Sequence, residues 1–193
     1  MILDDLIAID RQITLTINSF HTPLTDAVWK IFSHIQIWFP MYAAIIIWMF
    51  FRLGWKRALV FTVLFGLMVV CCDQCANFVK DTVQRLRPCR DEIMLAAGLY
   101  APFKGSLYGF YSGHAANSFG LAALSTGALT TDTRKGARWF IAWIYIWCVC
   151  VSLSRVFLGM HFFGDITVGA VAGTLTGLAL AYLGRFICRK FIR

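Results

Sequence analysis

The chain of 193 residues is long enough for one domain, and 59% of its residues are hydrophobic. Only 15% are charged, against about 25% in ordinary soluble domains. The net charge of +8 could indicate nucleic-acid binding, but the basic residues cluster at the ends of apolar runs, as topology signals and lipid-surface contacts do. We therefore expect a single membrane-embedded domain, residues 1–193, with membrane lipids and no nucleic acid as partners.

The first 22 residues are predicted to form an amphipathic helix on the membrane surface. The apolar positions recur at helical spacing: Ile2, Leu6, Ile9, Ile13, Ile17 and Phe20. The acidic start, MILDDLIAID, lacks the positive charge of a signal peptide, so none is predicted. Residues 23–34 either extend the first membrane span or form a separate short helix, and the sequence does not decide between the two.

Five apolar runs are predicted to cross the membrane. Several are shorter than the ~20 residues of an ideal spanning helix, so their flanking residues must help to cross the bilayer. The runs are residues 35–51, 58–79, 115–131, 139–154 and 166–184. Because residues 23–34 could add one more, we expect an all-α, polytopic transmembrane helix bundle of five to six spans.

Basic residues predict which side of the membrane is cytoplasmic. Three basic groups share one side when five spans are counted: Arg52, Lys56 and Arg57; Arg134, Lys135 and Arg138; and Arg185, Arg189, Lys190 and Arg193. Assigning that side to the cytoplasm of a bacterial inner membrane places residues 80–114 and 155–165 on the periplasmic or outer face. The outer loop is itself rich in basic residues, which departs from the positive-inside pattern and suggests another use for its charges.

Two local patterns are interpreted as packing signals. Seven cysteines, mostly within apolar runs, do not fit a disulfide framework. The segment CCDQC at 71–75 could be a metal site, but small packing residues in a helix are the favoured interpretation. Gly169, Gly173 and Gly177 form two overlapping GxxxG spacings, which are typical of close helix packing and carry no chemistry of their own.

Ionisable residues gather at the predicted outer ends of the spans. They are Lys80, Arg87, His114, Arg155, His161 and Asp165, with a Ser112-Gly113 turn before His114. Fixed cations facing a helix N-terminus form an anion site, and the planar fork of arginine suits a tetrahedral oxyanion. Two histidines beside such a site suggest a nucleophile and a general acid. His161 and Asp165 are four residues apart, so on one helical turn the carboxylate could reach the imidazole.

The order and spacing of these residues resemble a known three-part signature. The pattern is Lys80-x6-Arg87-Pro88, then Ser112-Gly113-His114, then Ser154-Arg155-x5-His161-x3-Asp165. It resembles the type 2 phosphatidic acid phosphatase (PAP2) superfamily, which includes membrane lipid phosphatases and soluble vanadium haloperoxidases. The resemblance implies a PAP2/haloperoxidase-like helical core.

The resemblance also implies a role for each residue. Lys80, Arg87 and Arg155 would clamp the phosphate oxygens, with Ser112 and the N–H of Gly113 as further donors. His161 would attack phosphorus to form a phosphohistidine, and Asp165 would orient it. His114 would protonate the leaving oxygen and then activate water. This scheme requires no metal and no other cofactor.

Some residues near the motifs have open roles. Tyr111 stands where the family usually has proline, which puts the geometry of the turn in doubt and could affect substrate choice. Asp73 could pair with a polar group in the bundle or support catalysis. Arg85 and Arg90 are predicted to contact lipid headgroups, with a second phosphate as the alternative. Two histidines, His21 and His34, match no motif and are interpreted as structural or interfacial.

The outer loop, residues 85–113, is long enough to be functional or mobile. Its aromatic residues could form an interfacial belt or a lid that guides a lipid headgroup into the site. They are Tyr100, Phe103, Tyr108, Phe110 and Tyr111.

The sequence as a whole predicts a metal-independent membrane lipid phosphatase, with undecaprenyl diphosphate as the expected substrate on family grounds. Phosphatidylglycerophosphate and lipid A phosphates are the alternatives within the family. A non-catalytic lipid-phosphate transporter or binding protein is the alternative from another class, but mere binding needs neither a nucleophile nor the carboxylate that orients it. Vanadate-dependent peroxidase chemistry is disfavoured by the hydrophobic spans. Oligomeric state is left open.

Overall fold

The structure, a computed structural model, describes residues 2–129 and 136–192. Eight α-helices and two short 3-10 helices make up most of these residues, and an isolated bridge between Leu86 and Tyr108 is the one β-type pairing among them. The α-helices are α1 (Ile2–Asn18), α2 (Pro23–Ser33), α3 (Phe39–Leu53), α4 (Trp55–Val83), α5 (Glu92–Ala96), α6 (Gly113–Leu129), α7 (Gly136–Phe157) and α8 (Phe163–Phe191). The 3-10 helices are Ile35–Trp38 and Pro88–Arg90. The predicted all-α bundle is confirmed.

Four segments of the described chain are long and apolar enough to cross a membrane. They are Ile35–Leu53, Trp55–Val83, Arg138–Phe157 and Phe163–Phe191, and they match four of the five predicted spans. The predicted span 115–131 corresponds to α6, which has 17 residues. Residues 130 and 131, and the basic residues Arg134, Lys135 and Arg193, lie outside the described residues. The number of spans, five or six, therefore stays a prediction.

Residues 23–33 form a helix of their own, which settles the alternative that the sequence left open. Thr22 caps it: its hydroxyl accepts the backbone N–H of Thr25, and the Thr25 hydroxyl accepts the N–H of Thr22. Pro23 adds a pre-set φ in the first turn. The separate helix α2 ends at Ser33, directly before the first span.

Helix α1 is amphipathic, as predicted, and its polar side faces the protein. Ile2, Leu6 and Ile9 are mostly exposed, whereas Thr14 and Asn18 on the opposite side are buried. An exposed apolar face on a helix beside membrane spans fits a position in the lipid interface. That position stays a prediction.

The core of the bundle is the contact between α6 and α8. Helix α6 is almost completely buried, and the glycines of α8 face its backbone. A Cβ at Gly173 would overlap the backbone carbonyl of Ala116, and one at Gly169 would fall 2.5 Å from the carbonyl oxygen of Ser112. The predicted packing role of the GxxxG spacings is thus confirmed.

Candidate active site

The predicted site residues lie together at one end of the bundle. Lys80 is in the last turn of α4 and Arg87 follows that helix; Gly113 and His114 begin α6; Arg155 is in the last turn of α7; Asp165 is in the first turn of α8. His161 lies in the short connection between α7 and α8. Alternating helix directions bring these residues, far apart in sequence, to the same end.

His161 is 2% exposed, and its two ring nitrogens face different groups. Nε2 lies 3.1 Å from Nη1 of Arg87. Because a guanidinium can only donate, Nε2 must accept, so the ring proton is on Nδ1. Nδ1 lies 3.5 Å from Oδ2 of Asp165, close enough for a charge interaction but without a hydrogen bond in the described structure. The tautomer is therefore one in which Nε2 carries the lone pair, and Arg87 donates to that lone pair in this structure.

The pKa of His161 is well below its ordinary value. Burial is the main cause, and the positive charges of Arg87, Arg155 and Lys80 add to it. The imidazole is therefore neutral at neutral pH, which is the form that can act as a nucleophile.

Asp165 is completely buried and held by two hydrogen bonds. Oδ2 accepts the backbone N–H of Phe162 at 3.0 Å, and Oδ1 accepts from Nη1 of Arg85 at 2.9 Å. These contacts fix the carboxylate so that Oδ2 is the oxygen nearer to His161. The arrangement suits a residue that orients an imidazole.

Arg85 is turned towards carboxylates of the protein itself, and its predicted contact with lipid headgroups or a second phosphate stays a prediction. Its guanidinium lies between Asp165 and Asp10, which is 2.7 Å away, and over the Phe162 ring at 3.9 Å. Asp10, which accepts a hydrogen bond from Arg85, lies 75 positions earlier in the chain. Arg90 is exposed and donates to the carbonyl of Gly105.

Arg87 and Arg155 are both buried at the site, at 8% exposure each. Arg87 donates to the Ser106 hydroxyl and to the backbone carbonyls of Tyr108 and Met160, which fix its guanidinium beside His161. Two fixed guanidinium groups within a buried pocket favour an anion.

Arg155 also helps to shape the loop that carries His161. Its guanidinium donates to the hydroxyl of Ser33, and its Nε has no hydrogen-bond partner among the described residues. Its own backbone carbonyl accepts the N–H groups of Met160 and His161, at 2.8 and 3.2 Å. One residue therefore offers a cation to the pocket and holds the backbone of the histidine.

The Ser112-Gly113-His114 turn is tied to α8. The backbone N–H of Ser112 donates to the backbone carbonyl of Asp165 at 3.1 Å. A Cβ at Gly113 would lie 4.0 Å from Nζ of Lys80, which places that amine against the helix N-terminus. His114 makes a hydrogen bond with the backbone of Ser33. The turn thus has the cation, the helix N-terminus and the histidine of an anion site.

Asp73 and Tyr111 have clear places. Asp73 accepts from the Asn117 side chain at 2.7 Å, so it pairs with a polar group in the bundle, one of the two predicted alternatives.

Tyr111 is 7% exposed and belongs to the same buried cluster as Cys72 and Ala76 of α4. The Tyr111 ring packs in the core, so it belongs neither to an interfacial aromatic belt nor to a lid over the site.

Two other aromatic residues of the outer loop have different surroundings. Tyr100 stacks on His21 with ring centroids 4.2 Å apart, which fits the structural role predicted for that histidine. Phe103 is 48% exposed and lies beside Lys30, whose Nζ is 5.8 Å from its centroid.

Two cavities reach the site. The larger, about 330 Å³, lies between the first 3-10 helix and α3, α4, α6 and α7; its lining is mostly apolar and includes His114, Asp73 and Asn117. The smaller, about 240 Å³, is lined by Lys30, Ser33, His34, Phe103, Arg155, Leu158 and Met160. We call them the apolar cavity and the cationic groove.

Sequence reasoning missed the contribution of α1 and α2. Asp10, Thr14 and Asn18 all contact segments that carry the site, and Ser33 contacts two predicted site residues. A signal was present, since Asp10, Thr14 and Asn18 are spaced four apart and form one polar stripe on a helix.

A model of the PAP2 superfamily matches residues 56–187. The chain belongs to the PAP2 superfamily. It is similar to a lipid A 4'-phosphatase of Bacteroides thetaiotaomicron, with 37% identity over 94% of this chain and 78% of the relative. It is also similar to a lipid A 4'-phosphatase of Porphyromonas gingivalis, with 30% identity over 91% of this chain and 72% of that protein.

Two solved structures share the PAP2 fold with this chain. One is a transmembrane PAP2-type phosphatidylglycerolphosphate phosphatase from Bacillus subtilis, with TM-score 0.70, 22% identity, and 98% of this chain and 89% of that chain covered. The other is Aquifex aeolicus LpxE, with TM-score 0.65, 20% identity, and coverage of 89% and 93%. The protein is a membrane-embedded phosphatase of the PAP2 superfamily.

Proposed function

We propose that this PAP2 protein is a lipid phosphatase that removes a phosphate from lipid A or a close structural relative of it. The two lipid A 4'-phosphatases similar to it favour this substrate over undecaprenyl diphosphate, the expectation from the sequence alone. Phosphatidylglycerophosphate is the second candidate, because the Bacillus subtilis neighbour shares the fold across nearly the whole chain.

The observation that carries a lipid substrate is the position of His114. It lines the apolar cavity, whose walls also include Trp38, Tyr42 and Trp147. A phosphate held by the cations beside His114 would have its apolar portion next to a space that excludes water. A soluble phosphate ester would gain nothing from such a cavity.

The proposed reaction has two steps. Nε2 of His161 attacks phosphorus, the bond from phosphorus to the lipid oxygen breaks, and His114 gives a proton to that oxygen. His114 then takes a proton from water, the water oxygen attacks the phosphohistidine, and inorganic phosphate leaves with His161 restored. Lys80, Arg87 and Arg155 stabilise the charge on the transferring group, and Asp165 stabilises the imidazole as its charge rises.

The cationic groove supports recognition of a charged or sugar-containing headgroup. Its lining includes Arg155, Lys30, His34 and the exposed ring of Phe103. Cations and an aromatic face together suit a phosphorylated sugar.

We also propose that the site faces the outer side of a bacterial inner membrane. The support is the distribution of basic residues: Arg52 lies in the last turn of α3, and Lys56 and Arg57 lie in the first turn of α4, at the opposite end of that helix from Lys80. Accessibility of single cysteines to a membrane-impermeant thiol reagent in intact cells, in a cysteine-free background, would test this orientation.

The test of the function is phosphate release from lipid A, phosphatidylglycerophosphate and undecaprenyl diphosphate in detergent without added metal. We expect release from lipid A, and product analysis to give a monophosphorylated lipid. Release from none of the three would contradict the lipid phosphatase. Release from another lipid alone would contradict the lipid A preference and leave the reaction type standing.

A further inference from the structure

We propose that Asp10 of α1 is a positioning residue for the phosphatase reaction, acting through Arg85 and Asp165 on His161. The proposal rests on the function proposed above, in which His161 is the nucleophile. Asp10 touches none of the predicted phosphate-binding residues, and it lies outside the segment that matches the PAP2 model.

A continuous chain of polar contacts links Asp10 to the histidine. Oδ2 of Asp10 lies 2.7 Å from Nη2 of Arg85, and Nη1 of the same guanidinium lies 2.9 Å from Oδ1 of Asp165. The other oxygen of Asp165 is the one near Nδ1 of His161, at 3.5 Å. All four side chains are at least three-quarters buried, so solvent screens these interactions less than on an open surface.

Asp10 also holds the backbone beside Asp165. Its Oδ1 accepts the N–H of Gly164 at 2.7 Å, and a Cβ at Gly164 would lie 2.9 Å from Oδ2 of Asp10. One turn along α1, the Thr14 hydroxyl accepts the N–H of Phe163 at 3.0 Å. Two of the N–H groups that a helix start leaves unpaired are therefore satisfied by α1.

The opposite end of the His161 loop is held by the same helix. The side-chain amide of Asn18 donates to the backbone carbonyls of Val156 and Phe157, at 3.2 and 2.9 Å, which end α7. Helix α1 thus contacts the chain on both sides of the segment 158–162 that carries His161. The location of the histidine relative to α7 and α8 depends on α1.

The charge of Asp10 has a separate effect from its contacts. Arg85 lies between two carboxylates and is attracted by both. If Asp10 became neutral, Arg85 would be drawn to Asp165 alone, and Asp165 would turn from His161 or lose part of its effect on it. The imidazole would then be less well oriented, and its developing charge would be less stabilised.

Asp10→Asn tests this with little change of shape. We expect kcat to fall by about 10-fold, as for other small losses of orientation at a reacting group. KM should stay unchanged, because Asp10 makes no contact with the phosphate pocket. Asp10→Glu should recover most of the loss. Asp5→Asn, the same charge change on the exposed part of α1, is the matched control and should leave kcat and KM as in the wild type.

Arg85→Lys provides an independent variant that leaves the Asp10 contact with α8 in place. Lysine keeps the charge but lacks the fork that binds two carboxylates at once, so kcat should fall as in Asp10→Asn. In the double variant, Asp10→Asn with Arg85→Lys, kcat should fall no further than in the more affected single variant, because both residues act through one chain of contacts. The melting temperature of each variant should be measured to establish that it is folded.

Unchanged kcat in folded Arg85→Lys or in folded Asp10→Asn would overturn the proposal, as would additive losses in the double variant. A parallel His161→Ala variant separates this outcome from failure of the proposed function. If His161→Ala is inactive while Asp10→Asn is fully active, only the role of Asp10 falls. If His161→Ala keeps its activity, the nucleophile itself has been assigned wrongly.

Discussion

Gly169 of α8 lies against the backbone of Ser112, so closely that a Cβ at position 169 would fall 2.5 Å from the Ser112 carbonyl oxygen. The N–H of Ser112 is bonded to the carbonyl of Asp165, one turn earlier on α8. The Ser112 turn is therefore held against α8 at both the N–H and the carbonyl of Ser112. A glycine that the sequence alone presents as a packing signal sets the distance between the two halves of the site.

Gly169→Ala should lower both stability and activity. The methyl group has to displace backbone, which costs about 1–3 kcal/mol in a packed core, and the Ser112 turn would move with it. Thermal unfolding in detergent and phosphate release measure the two effects. Gly66→Ala is the matched control, because a Cβ there meets nothing within 4 Å. Equal melting temperatures and equal phosphate release in Gly169→Ala and Gly66→Ala would contradict the close approach of Gly169 to Ser112.

His161→Ala should lower phosphate release by about 10³-fold or more, since the nucleophile is removed. Wild-type enzyme denatured at alkaline pH during turnover of ³²P-labelled substrate should carry base-stable, acid-labile label, and His161→Ala should carry none. His21→Ala, which removes a ring stacked on Tyr100, should keep its activity. A phosphoenzyme in His161→Ala would show that another residue attacks phosphorus.

The pH dependence should reflect a neutral His161. Burial and nearby cations lower the pKa of His161, so protonation inactivates the nucleophile only at a pH below the ordinary histidine range. The acid limb that belongs to His161 in kcat/KM should lie below pH ~6.5, and ¹⁵N NMR of the imidazole in the free protein should report the same group. Lys80→Gln removes one of the cations, so it should raise that pKa. Protonation of His161 in the wild type above the ordinary value would be inconsistent with the site.

Lys30→Gln should weaken binding of a charged headgroup without slowing the chemical steps. Loss of one exposed cation is worth up to about 1 kcal/mol, which corresponds to about a fivefold rise in KM. Lys56→Gln is the matched control: its amine also lies 5.8 Å from an aromatic ring, that of Trp55, but at the other end of α4. Equal KM values for Lys30→Gln and Lys56→Gln would contradict a role of the cationic groove in substrate recognition.

The spans and the gathering of the motifs could be predicted because both depend on local patterns. A long uncharged run has few stable structures other than a membrane-spanning helix. Because successive spans run in opposite directions, the sequence then predicts which helix ends lie on the same side of the membrane. The separate helix α2 could also have been predicted, since Thr22, Pro23 and Thr25 form a capping pattern.

The role of Arg85 could not be predicted in the same way. Its partners, Asp10 and Asp165, lie 75 and 80 positions away. Ser33 is a similar case, since its contact with Arg155 joins residues 122 positions apart. Such pairings depend on how the helices pack, and no local spacing encodes them.

The support of the site by α1 and α2 has a consequence for exchanging parts between relatives. The segment that matches the PAP2 model begins at residue 56, yet Asp10, Asn18 and Ser33 contact the loops and side chains of the site. The set of residues that supports the candidate site therefore extends beyond residues 56–187, the segment that matches the superfamily model. A chimera joined at residue 56 would combine the candidate site of one relative with the α1 and α2 contacts of another. A chimera that keeps residues 2–34 with their own core would preserve these contacts.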